Sequence, residues 1–250
     1  MNYNYWHDWE YQMKNAIYDI SSIISLDGSN LNNLNHKFHF MITPYLYSIM
    51  DEKNMDCPIK KQFVPTLNEL NCSKLDSPYY NHLDPLCETK FVKFENIVHR
   101  YPDRVLIIAT SRCFSYCRFC SRKRIMSENN SLNLNLHNII EYISSNTKIR
   151  DVLISGGDPL TLPDNELEYL ISSIRSIQHV EIIRIGTRAP SVLPMRITDS
   201  LVAMLKKYHP IWINTHFNHP NELSQLALDA CERIVNAGIP SPVFNGLSRM

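Results

Sequence analysis

From Tyr101 onward the chain alternates short apolar runs with longer amphipathic ones, and few folds accommodate that order. Runs at residues 105–109, 152–155, 181–185 and 211–214 predict strands. Segments 138–145, 165–177, 199–207 and 221–236 predict the intervening helices. The second is introduced by Pro163 and Asp164 with Glu166 and Glu168 in its first turn, and the last stops at Gly238. Strands alternating with helices imply right-handed βαβ units and a parallel sheet. In such a sheet every loop after a strand leaves from one edge, where parallel barrels and open α/β sheets place their sites. The expected fold class is therefore α/β, a parallel sheet of about four βα units over residues 101–240. An N-terminal helical and extended region, 1–100, precedes it, and an atypical tail, 241–250, follows.

The first of these loops carries Cys113, Cys117 and Cys120, spaced by four and three. A loop leaving a strand with three close thiols can present three thiolates to one metal centre, and soft sulfur selects zinc or an iron–sulfur cluster over hard cations. No second pair of cysteines at matching spacing completes a four-ligand zinc site. Three ligands on a tetranuclear cluster leave one iron open to a small molecule. Zinc, a disulfide and a cluster all remain consistent with the spacing.

The other strand ends also carry chemistry. Gly156, Gly157 and Asp158 follow the second run, Arg188 the third, and Asn214 and His216 the fourth. Paired glycines let backbone amides and carbonyls approach a ligand, although the same pair also makes an ordinary turn. A histidine at a strand end is often only a hydrogen-bonded core residue. Arg100, Tyr101 and Arg104 precede the first strand, and two arginines around a tyrosine suit a phosphate and a flat ring. The basic run Arg122, Lys123, Arg124 reads either as an anion grip or as a solvated surface.

The N-terminal region is less informative. Trp6, Trp9, Met13, Ile17, Ile20 and Ile24, spaced by three and four, predict one amphipathic helix broken at Asp27. A second helix is expected over residues 38–50, with Pro44 at its first turn or a kink. Prolines 58, 65, 78 and 85 argue for an extended stretch with short helices rather than a sheet over 51–100. With 25 basic and 25 acidic residues nothing points to nucleic acid or an anionic membrane. No apolar run reaches the roughly 18 residues of a membrane span, and residues 1–8 lack the parts of a signal peptide. A cytoplasmic protein is expected, with Cys57, Cys72, Cys87 and Cys231 unpaired.

The cysteine loop resembles the radical S-adenosylmethionine (SAM) signature. Further stretches resemble, in order, the lysine 2,3-aminomutase family: His99 to Arg104, Leu153 to Pro159, Arg184 to Arg188, Leu193 to Thr198 and Asn214 to Pro220. The resemblance runs from about Phe63 to Pro240. It implies a partial parallel (β/α) barrel of the radical SAM type, a [4Fe–4S] cluster on Cys113, Cys117 and Cys120, and SAM held by Gly156, Gly157, Asp158, Asn214 and His216. It also implies pyridoxal 5′-phosphate (PLP), with its phosphate cradled by Arg100, Tyr101 and Arg104, and a substrate carboxylate gripped by Arg122. The implied reaction moves an amino group from the α- to the β-carbon of a small-molecule amino acid through a 5′-deoxyadenosyl radical. An electron donor serves the cluster.

The chain departs from the family in several places. Its six glycines, at 28, 156, 157, 186, 238 and 246, include no glycine-rich segment bearing the family's PLP lysine. The acids that hold the far amine of lysine are missing too, and Phe119 stands where lysine enzymes tend to show histidine. A C-terminally truncated member is therefore expected, with an unpaired sheet edge after the fourth strand. A non-catalytic remnant, or one half of an assembly completed by a partner chain or a second copy, is the alternative. Glutamate or protein-bound lysine are alternative substrates.

Overall fold

The computed structural model describes residues 5–24, 28–37, 39–51, 53–54, 56–70, 84–127 and 134–245. Expectations placed on residues 1–4, Asp27, Phe38, Cys72, Pro78 and 246–250 lie outside the described residues. Among the described residues one sheet holds seven strands in chain order: β1 (Val92–Phe94), β2 (Ile97–Tyr101), β3 (Arg104–Thr110), β4 (Asp151–Gly156), β5 (Ile182–Gly186), β6 (Ile211–Phe217) and β7 (Val243–Asn245). β1, β2 and β3 are antiparallel, whereas β3 through β7 run parallel. Helices Leu136–Ser145, Asp164–Arg175, Asp199–Lys206 and Gln225–Asn236 make the returns. This is the α/β parallel sheet that the alternating pattern predicts, consistent with the partial barrel that the resemblance implies.

Alternate residues divide the sheet into two faces. Val152, Ile154, Ile183, Ile185, Ile211 and Ile213 are fully buried, and each such side chain contributes about 1.5–3 kcal/mol. Leu153, Arg184 and Asn214 occupy the opposite face and are only partly buried. Register sets which loops meet. Thr110 pairs with Gly156 and Gly186 with Asn214, so the cysteine loop leaves beside the paired glycines and the β5 end lies beside the β6 end.

Four expectations need correction. The chain does not stop pairing after the fourth parallel strand: Thr215, His216 and Phe217 are in register with Val243, Phe244 and Asn245. Backbone hydrogen bonding needs no particular side chains, so departure from the family pattern after Pro240 did not prevent it. The apolar spacing near the N-terminus is divided between a one-turn helix at Tyr5–His7, helix Trp9–Lys14 and a turn at Ile20–Ser22. Asp8 and Asp19 each accept a backbone N–H and start a new element, and Ile17 forms an isolated bridge with Ile42. The expected helix over 38–50 is confined to Pro44–Ser48, where Thr43 caps and Pro44 takes the first helical position. Where no sheet is expected over 51–100, residues 92–101 form the β1–β2 hairpin, whose strands of three and five residues are too short for alternation to stand out.

Six described cysteines, Cys57, Cys87 and Cys231 among them, form no disulfide. No described helix is long and apolar enough to cross a membrane.

Arg196 ties the N-terminal region to the sheet. It is 1% exposed, donates through Nε to the Leu160 carbonyl at 2.7 Å and through Nη2 to Asp164 at 2.6 Å, and its guanidinium lies 4.7 Å from the centre of the Trp9 ring. Arg196→Ala strands these acceptors and uncovers the ring. Because Asp164 is partly solvated, the loss stays below that of a fully buried pair, at about 3 kcal/mol by urea unfolding. A change under about 1 kcal/mol would show that the tie carries little.

Candidate functional site

The sheet's loop edge encloses a cavity of about 470 Å³. The cysteine loop supplies Cys113, Cys117 and Cys120 to its wall, β4 and its loop Gly156, Gly157 and Asp158, and β6 Asn214 and His216. All eight residues expected to handle a cluster and SAM therefore meet in one place. A second cavity of about 230 Å³ is lined by Arg100, Tyr101, Arg104, Arg184, Glu88 and Asp151, and Arg122 and Asn214 line both cavities. The expected phosphate cradle thus opens beside the cysteine cavity, and Arg122 stands on the wall between them.

Close packing explains the glycines. A Cβ on Gly157 would lie 2.1 Å from the Arg112 carbonyl oxygen, and one on Gly156, at φ +119°, would lie 2.6 Å from the Thr110 oxygen. The Gly157 amide donates to Thr110 at 2.6 Å and the Asp158 amide to Arg112 at 2.7 Å, clamping the β4 loop to the start of the cysteine loop.

Asp158 lines the same cavity, and its carboxylate is held by protein donors. It is buried, and it accepts from the Thr187 hydroxyl at 2.7 and 2.8 Å, the Arg188 amide at 2.8 Å and the Leu160 amide at 3.1 Å. Burial raises its pKa, although these hydrogen bonds pull the other way. With both oxygens engaged, it braces the β5 end against the β4 loop.

Burial pushes the Cys113 thiol well up, and Asp158, Cys117 and Cys120 push it further. Burial also raises Cys120, against the Arg122 amide that donates to its sulfur at 3.3 Å. These sulfurs bind a metal only as thiolates, and a cationic centre offsets the cost of their burial. Among the described residues no three His, Cys, Asp or Glu side chains converge on a single ion. Three thiols on the wall of one cavity suit a polynuclear cluster, in which each thiolate would bind a different iron. Among the described residues the buried Asn214 Oδ1 has no hydrogen-bond partner, and it offers an acceptor to a ligand's N–H or O–H. The donor set and the glycine cradle therefore fit a cluster with SAM beside it.

In the smaller cavity Arg184 pairs with Asp151 at 2.6 Å and Arg122 with Glu88, which leaves Arg100 and Arg104 as the guanidinium groups best placed for a phosphate. Arg100 and Arg104 lie 5.7 and 5.5 Å from the Tyr101 ring centre. Arg104 also pairs with Asp103, and Arg100 donates to the Leu86 carbonyl. Arg122 is held by Glu88 through Nε and Nη2 at 2.7–3.2 Å.

Sequence reasoning noted Arg188 only as a loop-end residue, yet it sits at the centre of a buried network. Its Nη1 donates to the Cys117 sulfur at 3.0 Å, while Nη2 reaches Gln62 and Glu222, the latter at 2.9 Å. Phe63 and Phe119 cover the guanidinium at 4.8 and 5.1 Å. Gln62 and Phe63 belong to helix Lys60–Phe63, far from the motif in sequence, and nothing in their local pattern signalled the contact. Glu222 also accepts from Gln62 at 2.8 Å and from the Asn218 and His219 amides. Burial pushes Glu222 up, but the Arg188 charge and the hydrogen bonds outweigh it and hold the carboxyl below its usual range.

Burial, helped by Arg188, lowers the His216 pKa to about 4, so the imidazole is neutral at pH 7. An unfolded histidine titrates near about 6.5, so between these values the unfolded chain binds the extra proton and folding stability falls as pH drops. The partly solvated ring limits this to roughly 2 kcal/mol. Unfolding of the metal-free His216→Gln chain should lose that part of the slope between pH 6.5 and 4. An unchanged slope would place the acid sensitivity elsewhere.

Residues 107–247 match the model of the Radical SAM superfamily. The chain is 44% identical over 243 residues to L-lysine 2,3-aminomutase of Fusobacterium nucleatum, covering 94% of this chain and 56% of the relative. It is 43% identical to the enzyme of that name from Acetoanaerobium sticklandii, covering 94% and 58%. To glutamate 2,3-aminomutase of Clostridioides difficile it is 40% identical over 255 residues, covering 97% and 59%. The chain spans a little over half the length of these curated relatives.

Proposed function

Because the chain belongs to the radical SAM superfamily and, within it, to the lysine 2,3-aminomutase family, we propose that it serves the 2,3-amino migration of a small-molecule amino acid. The convergence of Cys113, Cys117, Cys120, Gly156, Gly157, Asn214 and His216 on one cavity, with the arginine-rich cavity adjoining, carries this reading. Bound there, the cluster and SAM supply one-electron chemistry that takes hydrogen from an unactivated carbon, and PLP carries the migrating nitrogen.

The chain's own residues hold and shield the reactants. The three cysteines would hold the cluster, which supplies the electron to SAM bound beside it. Gly156 and Gly157 bring backbone groups within reach of SAM's amino end, and Asn214 accepts from a donor on the ligand through its unpartnered Oδ1. Neutral His216 packs against Phe119, ring centres 5.9 Å apart, and offers a hydrogen-bonding nitrogen without adding charge. Arg100 and Arg104 take the PLP phosphate with Tyr101 between them. Glu88 holds Arg122 so that Nη1 is left for a substrate carboxylate. Phe119 and Phe63 keep water from the Arg188 side of the cavity. An external electron donor would reduce the cluster, and a cytoplasmic setting suits a site that depends on free thiolates.

Anaerobic reconstitution with iron and sulfide, followed by electron paramagnetic resonance of the reduced protein with and without SAM, tests this reading. A cluster signal that changes shape on adding SAM is expected. Iron binding without any response to SAM would overturn it.

A further inference from the structure

Arg188 and Glu222 form a buried ion pair, 2.9 Å apart and 8% and 1% exposed at their side chains, set against one member of the cysteine triad. Pairs of this kind rarely add net stability over an apolar alternative, so the arrangement asks for another explanation. Its orientation supplies one. Glu222 is anchored by Gln62, Ser191 and the Asn218 and His219 amides, and it turns the Arg188 fork so that Nη1 meets the Cys117 sulfur at 3.0 Å. The other two sulfurs have weaker company: Cys120 accepts one backbone amide at 3.3 Å, and Cys113 lies 3.7 Å from the Met126 sulfur.

We infer that Arg188 is a positioning residue that tunes the reduction potential of the cluster through Cys117, with Glu222 setting both its aim and its net charge. The inference rests on the cluster reading above. One-electron reduction by dithionite or a low-potential donor adds one negative charge to the iron–sulfur–thiolate unit. A cation hydrogen-bonded to a ligand sulfur stabilises that reduced form and raises the potential, because hydrogen bonds to sulfur and local net charge set cluster potentials. Glu222 offsets part of the arginine's charge, so removing each partner moves the potential in opposite directions.

The test is a mediated redox titration of the reconstituted full chain, followed by electron paramagnetic resonance. Four proteins are compared: wild type, R188M, E222Q and the double variant R188M/E222Q. The double variant buries no uncompensated charge and protects against a fold failure of R188M. The expected order of midpoint potentials is E222Q highest, then wild type, then R188M/E222Q, with R188M lowest. A purely structural role would lower iron occupancy without this ordering. Equal potentials in wild type, E222Q and the double variant would overturn the inference while leaving the cluster reading intact. A wild-type chain that takes up no iron would overturn the reading and the inference together.

Discussion

Cys117→Ala should leave the reconstituted chain with iron reduced roughly tenfold or more, and with no reduced-cluster signal to respond to SAM. The scale follows from what changes at more distant partners achieve: altering a group that merely orients a metal ligand costs about 10- to 100-fold in affinity, and here a ligand itself is removed. Cys117 is also the sulfur that meets Arg188, so its loss strands a buried guanidinium whose remaining partners are Gln62 and Glu222. Cys113 and Cys120, both pushed toward the neutral thiol by burial, would be left to hold a cluster on two contacts. Cys231→Ala is the control, since Cys231 lies on helix Gln225–Asn236 and lines neither cavity. Iron and the SAM response should survive there. Equal iron in both variants would remove the cysteine triad from the metal site.

Gly157→Ala should be almost as damaging, and for a reason that involves no ligand. The added methyl carbon would lie 2.1 Å from the Arg112 carbonyl oxygen, a backbone atom that cannot swing aside as a side chain would. Relief requires moving the β4 loop away from the cysteine loop, which breaks the short Gly157 to Thr110 and Asp158 to Arg112 hydrogen bonds. Inserting one methylene-sized group into a packed core costs about 1–3 kcal/mol, and a rigid neighbour puts this case at or above the upper figure. The melting temperature should fall by several degrees, and any cluster that still forms should lose its response to SAM. Gly28→Ala is the control, because nothing lies within 4 Å of a Cβ there. If the two variants melt alike, the glycine pair is an ordinary turn.

The parallel sheet was readable because its signal is periodic and repeated: β3, β4 and β6 contain the apolar runs and add two or three residues, and β5 is shifted by one. The cysteine triad was readable because three thiols within eight positions cannot be far apart in space. The short elements escaped. β1 and β2 together occupy eight residues of a ten-residue hairpin, too few for alternation to stand out among neighbouring prolines. At the N-terminus, apolar residues spaced by three and four were distributed over three elements because Asp8 and Asp19 capped new starts.

By itself the sequence determined the class of the fold, the edge on which chemistry gathers, and the residue types at that edge. These depend on local periodicity and on close spacing, which a linear chain displays directly. The tertiary structure alone decided how those residues divide their labour. It committed Asp158 to bracing two loops, put Arg122 under the hold of Glu88, and drew Gln62 and Glu222 from distant segments onto Arg188 beside Cys117. A hydrogen bond is specified by two partners and a direction, and when 160 residues separate Gln62 from Glu222 only the folded chain supplies the second partner and the angle.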